Sequence, residues 1–169
     1  MDHAAGGGDQ QSLVDPFIAV TTAFEGEEIA AARDLARTFL ADLQAGHGIP
    51  VSGRVMGTVQ LVVSELVTNA RKYAPGPCML TLEATGSAVD VTVWDSEPTL
   101  PIAQVADPGR VGQHGLEIIL AVSEGFTTCR EPVGKRVTAT IALADDAASS
   151  SPAANCDQPR GASAQDACS

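Results

Sequence analysis

From Glu25 to about Ala45 the apolar residues Ile29, Ala32, Leu35, Ala36, Phe39, Leu40 and Leu43 recur at three- and four-residue steps. That spacing gathers side chains on one stripe of an α-helix. Acids stand in its first turn, and Gly46, Gly48 and Pro50 bring it to an end. A second helix follows, with Ser52 as its cap, and runs to about Ala74, where Pro75-Gly76-Pro77 forms a firm stop. Elsewhere the period shortens to two. Phe17 to Phe24, Cys78 to Ala84, Val89 to Trp94, Gly125 to Arg130 and Val137 to Leu143 read as strands, with the cleanest alternation in VDVTVWD. Gly86-Ser87 predicts one hairpin and Pro132-Val133-Gly134 another. Leu116 to Ser123 fits a short helix. Between Asp95 and Gly115 the periodicity lapses, and a loop of that length inside a compact domain tends to be a lid or a binding loop.

These elements divide the chain into a Gly-, Ala- and Gln-rich segment at 1–14, one folded domain at 15–144, and an acidic Ala- and Ser-rich tail at 145–169. The two flanking segments lack the large apolar residues that ordering requires and are expected to be disordered. The expected architecture is α/β, a two-layer sandwich with one mixed, largely antiparallel sheet and helices on one face. Apolar content of 44% and charged content of 18% suit a globular protein of 169 residues. A net charge of -11 argues against direct nucleic-acid binding, which needs a basic patch. No apolar run is long enough for a membrane span, and the N-terminus lacks the order of a signal peptide, so a cytoplasmic protein is expected. Cys78, Cys129, Cys156 and Cys168 form no CxxC pair, and reduced thiols are the simplest expectation.

Chemistry concentrates in the second helix. In VSELVTNARKYAP, residues Glu65, Asn69 and Tyr73 stand four apart, drifting only about 40° per step, and so share a face. A solvated polar face is the default meaning of such a pattern. A carboxylate and a carboxamide one turn apart also offer hard oxygens to a hydrated divalent cation, and Lys72 adds a point charge suited to phosphate. Downstream, Asp95 closes an alternating strand, where an aspartate is most often a turn former. Gly109, Gly112 and Gly115 then precede a helix, where bare backbone N–H groups and the helix dipole favour phosphate. There is no GK[ST] signature, so this is not a Walker loop. Trp94 reads as packing, Cys78 and Cys129 as small buried hydrophobes, and His114 as a solvent-facing residue of the loop.

Taken in order, the Glu/Asn helix, the strand-terminal Asp and the glycine-rich loop resemble the GHKL ATPases, the Bergerat fold of histidine kinases and bacterial anti-sigma factor kinases. Glu65 and Asn69 match the family's Glu-three-Asn pattern. The resemblance implies magnesium binding by Asn69 and a base at Glu65, with Lys72 meeting phosphate as in the histidine-kinase version of the NARKYAP stretch. Asp95 in WDSEP matches the residue that reads the adenine amino group. The lid over the phosphates corresponds to GRVGQHGL, which supplies Gly109, Gly112, Gln113, His114, Gly115 and Leu116. The likeness spans about 16–143, and its size and order favour the small stand-alone anti-sigma factor branch. It implies ATP and Mg²⁺ as ligands and, as partner, a sigma factor or an anti-sigma antagonist that becomes phosphorylated on serine or threonine. A homodimer is compatible with that branch. Competing readings are a non-catalytic interaction module and a detached histidine-kinase catalytic domain. Two departures stand out: Glu97 replaces the glycine two places after the adenine aspartate, and Arg136 follows Gly134-Lys135 where a short polar residue is usual.

Overall fold

The computed structural model describes residues 18–25, 28–74, 76–99, 114–144 and 154–155. The chain runs β1 (Ile18–Phe24), α1 (Ile29–His47), α2 (Gly53–Tyr73), β2 (Cys78–Ala84), β3 (Ala88–Asp95), α3 (His114–Val122), β4 (Gly125–Arg130), β5 (Lys135–Ala142) and β6 (Ala154–Asn155). The sheet order is β1-β2-β3-β5-β4-β6. The first five strands pair antiparallel, and β6 lies parallel to β4. The expected two-layer α/β sandwich with a largely antiparallel sheet is therefore what the chain forms.

Register explains which face the helices cover. Leu80, Leu82 and Ala84 on β2 stand opposite Val93, Val91 and Val89 on β3, which stand opposite Val137, Ala139 and Ile141 on β5. All nine are buried, and the core is closed by Ala32, Ala36, Phe39, Leu40 and Leu43 of α1 with Val55, Val59, Val62, Val63, Leu66 and Val67 of α2. Side chains alternate across a strand, so the intervening residues form the other face. There the antiparallel strands contribute Thr21, Thr81, Thr92, Thr138 and Thr127 in one cross-strand row. Hydroxyl pairs link Thr21 to Thr81 at 3.0 Å and Thr92 to Thr138 at 2.9 Å. This is a neutral, hydrogen-bonded row of the kind that stabilises neighbouring strands pair by pair.

Several boundaries differ from the sequence expectation. α1 begins at Ile29, with Glu28 at its N-cap and no acid in its first turn. It continues through Gly46 to His47 and ends where Gly48 takes a left-handed conformation, φ 64°. α3 starts at His114, two residues before the expected Leu116, and β5 starts at Lys135 rather than Val137. β6 is a two-residue strand inside the stretch read from composition as a disordered tail. Cys78 is free and buried, whereas Cys129 is disulfide-bonded, which corrects the expectation of reduced thiols throughout. Its partner lies outside the described residues. Burial pushes the Cys78 thiol up from its ordinary range.

Ser52 caps α2 as the sequence suggests, its Oγ accepting from the Val55 N–H at 3.1 Å. Ser52→Ala is expected to cost about 1 kcal/mol, because one of the helix's orphan N–H groups loses its partner. Calorimetry should register a melting temperature lower by a few degrees.

Candidate functional site

Helix α2 lies on the covered face of the sheet, with its buried positions turned toward β2, β3 and β5. Its remaining face carries Glu65 and Asn69, both half-buried, and ends at Tyr73, which is 54% exposed. Neither Glu65 nor Asn69 makes a hydrogen bond or ion pair with the described residues. Lys72 is exposed and holds its ammonium 5.3 Å from the centre of the Tyr73 ring, a cation–π contact at the helix's last turn.

Glu65 meets the glycine-rich segment directly. A Cβ added to Gly115 would lie 2.2 Å from Glu65 Oε2, so only a glycine in α3 lets the carboxylate come this close. Gly115 is the second residue of α3 and is buried there. The carboxylate therefore rests against the positive end of a helix dipole, where N–H groups of the first turn lack helical partners. His114 opens the same helix, exposed, with Nδ1 3.5 Å from Glu117 Oε2. Leu116 is half-buried against the core. Gly109, Gly112 and Gln113 lie outside the described residues.

Asp95, the last residue of β3, is only 2% exposed. It sits on the helix-covered face beyond Val89, Val91 and Val93, and within electrostatic reach of Cys78 at the start of β2. Arg71, near the end of α2, acts on the same thiol, so the strand end and the helix end converge. Asp95 Oδ1 accepts two hydrogen bonds: one from the Glu97 N–H at 2.9 Å, and one from Lys135 Nζ at 2.9 Å. Lys135 is the residue opposite Asp95 on β5, is itself 7% exposed, and also donates to the Glu97 carbonyl at 3.0 Å. Behind this pair the β4–β5 turn passes so close that a Cβ on Gly134 would lie 1.9 Å from the Asp95 carbonyl oxygen.

Both departures from the resembled pattern acquire a location. The Glu97 carboxylate is held by its own loop, accepting from the Thr99 N–H at 3.0 Å and the Thr99 hydroxyl at 2.6 Å. Those two donors hold it below the usual carboxylate range. Arg136 follows Lys135 by one residue, so it points to the opposite face of the sheet and pairs with Glu131. It is Lys135, not Arg136, that stands beside Asp95. Lys135 falls between the turn and the strand expected from the sequence, Pro132-Val133-Gly134 and Val137 to Leu143, and so is not among the expected site residues. The signal that finds it is the hairpin register, which carries a buried-face position back from Val137 by two residues.

The structure thus gathers two groups: Glu65 with Gly115 and, one turn along α2, Asn69; and Asp95 with Lys135 at the end of the sheet. Among the described residues no cluster of three or more His, Cys, Asp or Glu side chains forms a protein-only metal site. No described helix is long and apolar enough to cross a membrane. Comparison with curated proteins finds no match. A family model described as a histidine kinase-like ATPase domain matches residues 27–141. That span runs from α1 to the penultimate residue of β5 and takes in every described site residue, so the chain belongs to the histidine kinase-like ATPase domains, a domain type that binds ATP.

Proposed function

We propose that this protein is an ATP-dependent regulator that binds Mg-ATP, captures a protein partner and phosphorylates it on a serine or threonine hydroxyl. The observation that carries this reading is the Glu65 carboxylate, free of described partners, against the first turn of α3 and one helical turn from Asn69. Backbone N–H groups at that helix start suit the terminal phosphates of a nucleotide. Asn69 is half-buried and its carboxamide has no hydrogen-bond partner among the described residues, which fits a cation that takes hard oxygens and keeps its waters and its phosphate ligands. A magnesium ion held there would supply charge neutralisation for the transferred phosphoryl group. Glu65 takes the proton of the acceptor hydroxyl as its oxygen bonds to the terminal phosphorus and the bond to the departing ADP oxygen breaks. Lys72, at the exposed end of α2, approaches phosphate as a point charge. Asp95 accepts from the base's amino group.

The partner we favour is a sigma factor or the antagonist that releases it, consistent with an acidic chain of net charge -11 that offers no basic footprint for nucleic acid. A second reading is supported by a specific contact: Lys135 already occupies Asp95 Oδ1, as it would in a module that retains the fold for protein binding alone.

Mg-ATP at a hundred times its Kd should add about 2.7 kcal/mol of stability. For a domain of this size the expected rise in melting temperature is on the order of ten degrees. Incubation with labelled ATP and a candidate antagonist should then move label to the antagonist. A flat melting curve at millimolar Mg-ATP with a silent calorimetric titration rejects nucleotide binding; a shift without transfer selects the interaction module.

A further inference from the structure

The buried ion pair at the end of β3 has a cationic half that the phosphotransfer reading leaves unused. Lys135 Nζ carries three N–H donors. Two are engaged, with Asp95 Oδ1 at 2.9 Å and the Glu97 carbonyl at 3.0 Å. The third has no partner among the described residues. Asp95 is in the complementary position: Oδ1 accepts from Lys135 and the Glu97 N–H, and Oδ2 has no described partner. A lysine buried this deeply is rare and costly unless its charge is matched, so the pairing fixes Nζ in place beside the carboxylate. One acceptor and one donor therefore sit side by side on the covered face, their backbones held in register by the β3–β5 ladder and by the close approach of Gly134.

Adenine presents the matching edge: an exocyclic amino donor at position 6 next to a ring acceptor, N1. Guanine reverses both, with an oxygen acceptor at position 6 and an N–H donor at N1. We propose that Lys135 is a base-reading residue, donating its third N–H to adenine N1 while Asp95 Oδ2 accepts from the amino group, so that the pair selects adenine over guanine. This rests on the nucleotide reading above and names a specificity-determining residue within it.

The test compares ATP with 1-deaza-ATP, in which N1 is replaced by C–H, by calorimetric titration of the intact protein with magnesium. Wild type is expected to favour ATP by roughly ten- to a hundredfold, the usual scale for a hydrogen bond to a charged group. In Lys135→Met the preference should collapse to within about twofold, as the missing donor and the missing acceptor become one loss rather than two. Because Lys135→Met leaves Asp95 without its counter-charge, Lys135→Arg serves as the variant that keeps charge compensation. Its forked head displaces the donor, and its preference should fall well below that of wild type at a similar melting temperature. Equal wild-type affinity for the two nucleotides overturns the proposal whatever the variants do, as does a preference that persists in a folded Lys135 variant. Those outcomes leave ATP binding intact. Failure of wild type to bind ATP at all removes the nucleotide reading and this proposal together.

Discussion

Glu65→Gln is expected to slow phosphate transfer by roughly two to four orders of magnitude while Mg-ATP affinity stays at the wild-type value. Glutamine keeps the length and hydrogen-bonding capacity of the side chain and removes only the proton acceptor. The fold should tolerate it, because Glu65 makes no hydrogen bond or ion pair with the described residues, and the near-isosteric glutamine still fits against Gly115. Asn69→Ala, one turn away, is expected to weaken Mg-ATP binding and abolish transfer together, since it removes the oxygen assigned to the cation. Gly115→Ala supplies a geometric check. The added Cβ meets the far end of a flexible side chain, so the helix should stay folded while the carboxylate is displaced and transfer falls as in Glu65→Gln. Equal loss of ATP affinity in Glu65→Gln and Asn69→Ala would place Glu65 with the cation instead. Unfolding of Glu65→Gln would make it a structural residue and favour the interaction module.

Gly134→Ala is expected to be among the most damaging single substitutions, by about 2–5 kcal/mol, a drop in melting temperature of roughly ten degrees or more. Two independent penalties coincide there. The residue has φ 79°, a left-handed conformation that costs an L side chain on the order of 1 kcal/mol or more. The new Cβ would also stand 1.9 Å from the Asp95 carbonyl oxygen and 2.8 Å from both the Asp95 carbonyl carbon and Ser96 Cα, all of them backbone atoms that cannot swing away. Either the β4–β5 turn or the end of β3 must move, and both carry the Asp95–Lys135 pair. Thermal unfolding of the purified variant measures the effect. A change of under a degree would show that the strand end yields cheaply.

The extent to which the sequence reveals this molecule follows from the range of each interaction. The helices and the five antiparallel strands are legible because burial imposes a local period: Leu80, Leu82 and Ala84, or Val89, Val91 and Val93, alternate with polar residues within a few positions. The Glu65–Asn69 face is legible for the same reason. β6 is not, because a two-residue edge strand pairs through its backbone and needs no apolar signature. The start of α3 is misread since Gly115 looks like a loop residue, whereas its value lies in the absence of a Cβ against Glu65, fifty residues earlier in the chain. The Asp95–Lys135 pair and the row of five threonines are invisible to any local pattern. They exist only once strands distant in sequence are set side by side, and nothing in either partner's own neighbourhood announces the other.

β3 and β5 are adjacent in the sheet, yet the chain leaves the sheet between them and returns through α3 and β4. A cut anywhere in 100–113 would therefore yield two polypeptides that meet along the β3–β5 ladder, from Ala88 opposite Ala142 to Asp95 opposite Lys135, and where α2 packs on α3 and β5. The first would hold Glu65, Asn69 and Asp95; the second would hold Gly115, Gly134 and Lys135. Each alone would leave an unpaired strand edge, the feature that drives strand addition. Neither would own a complete site. Nucleotide binding recovered on mixing the two would report their reassembly, which makes this fold a natural candidate for fragment complementation.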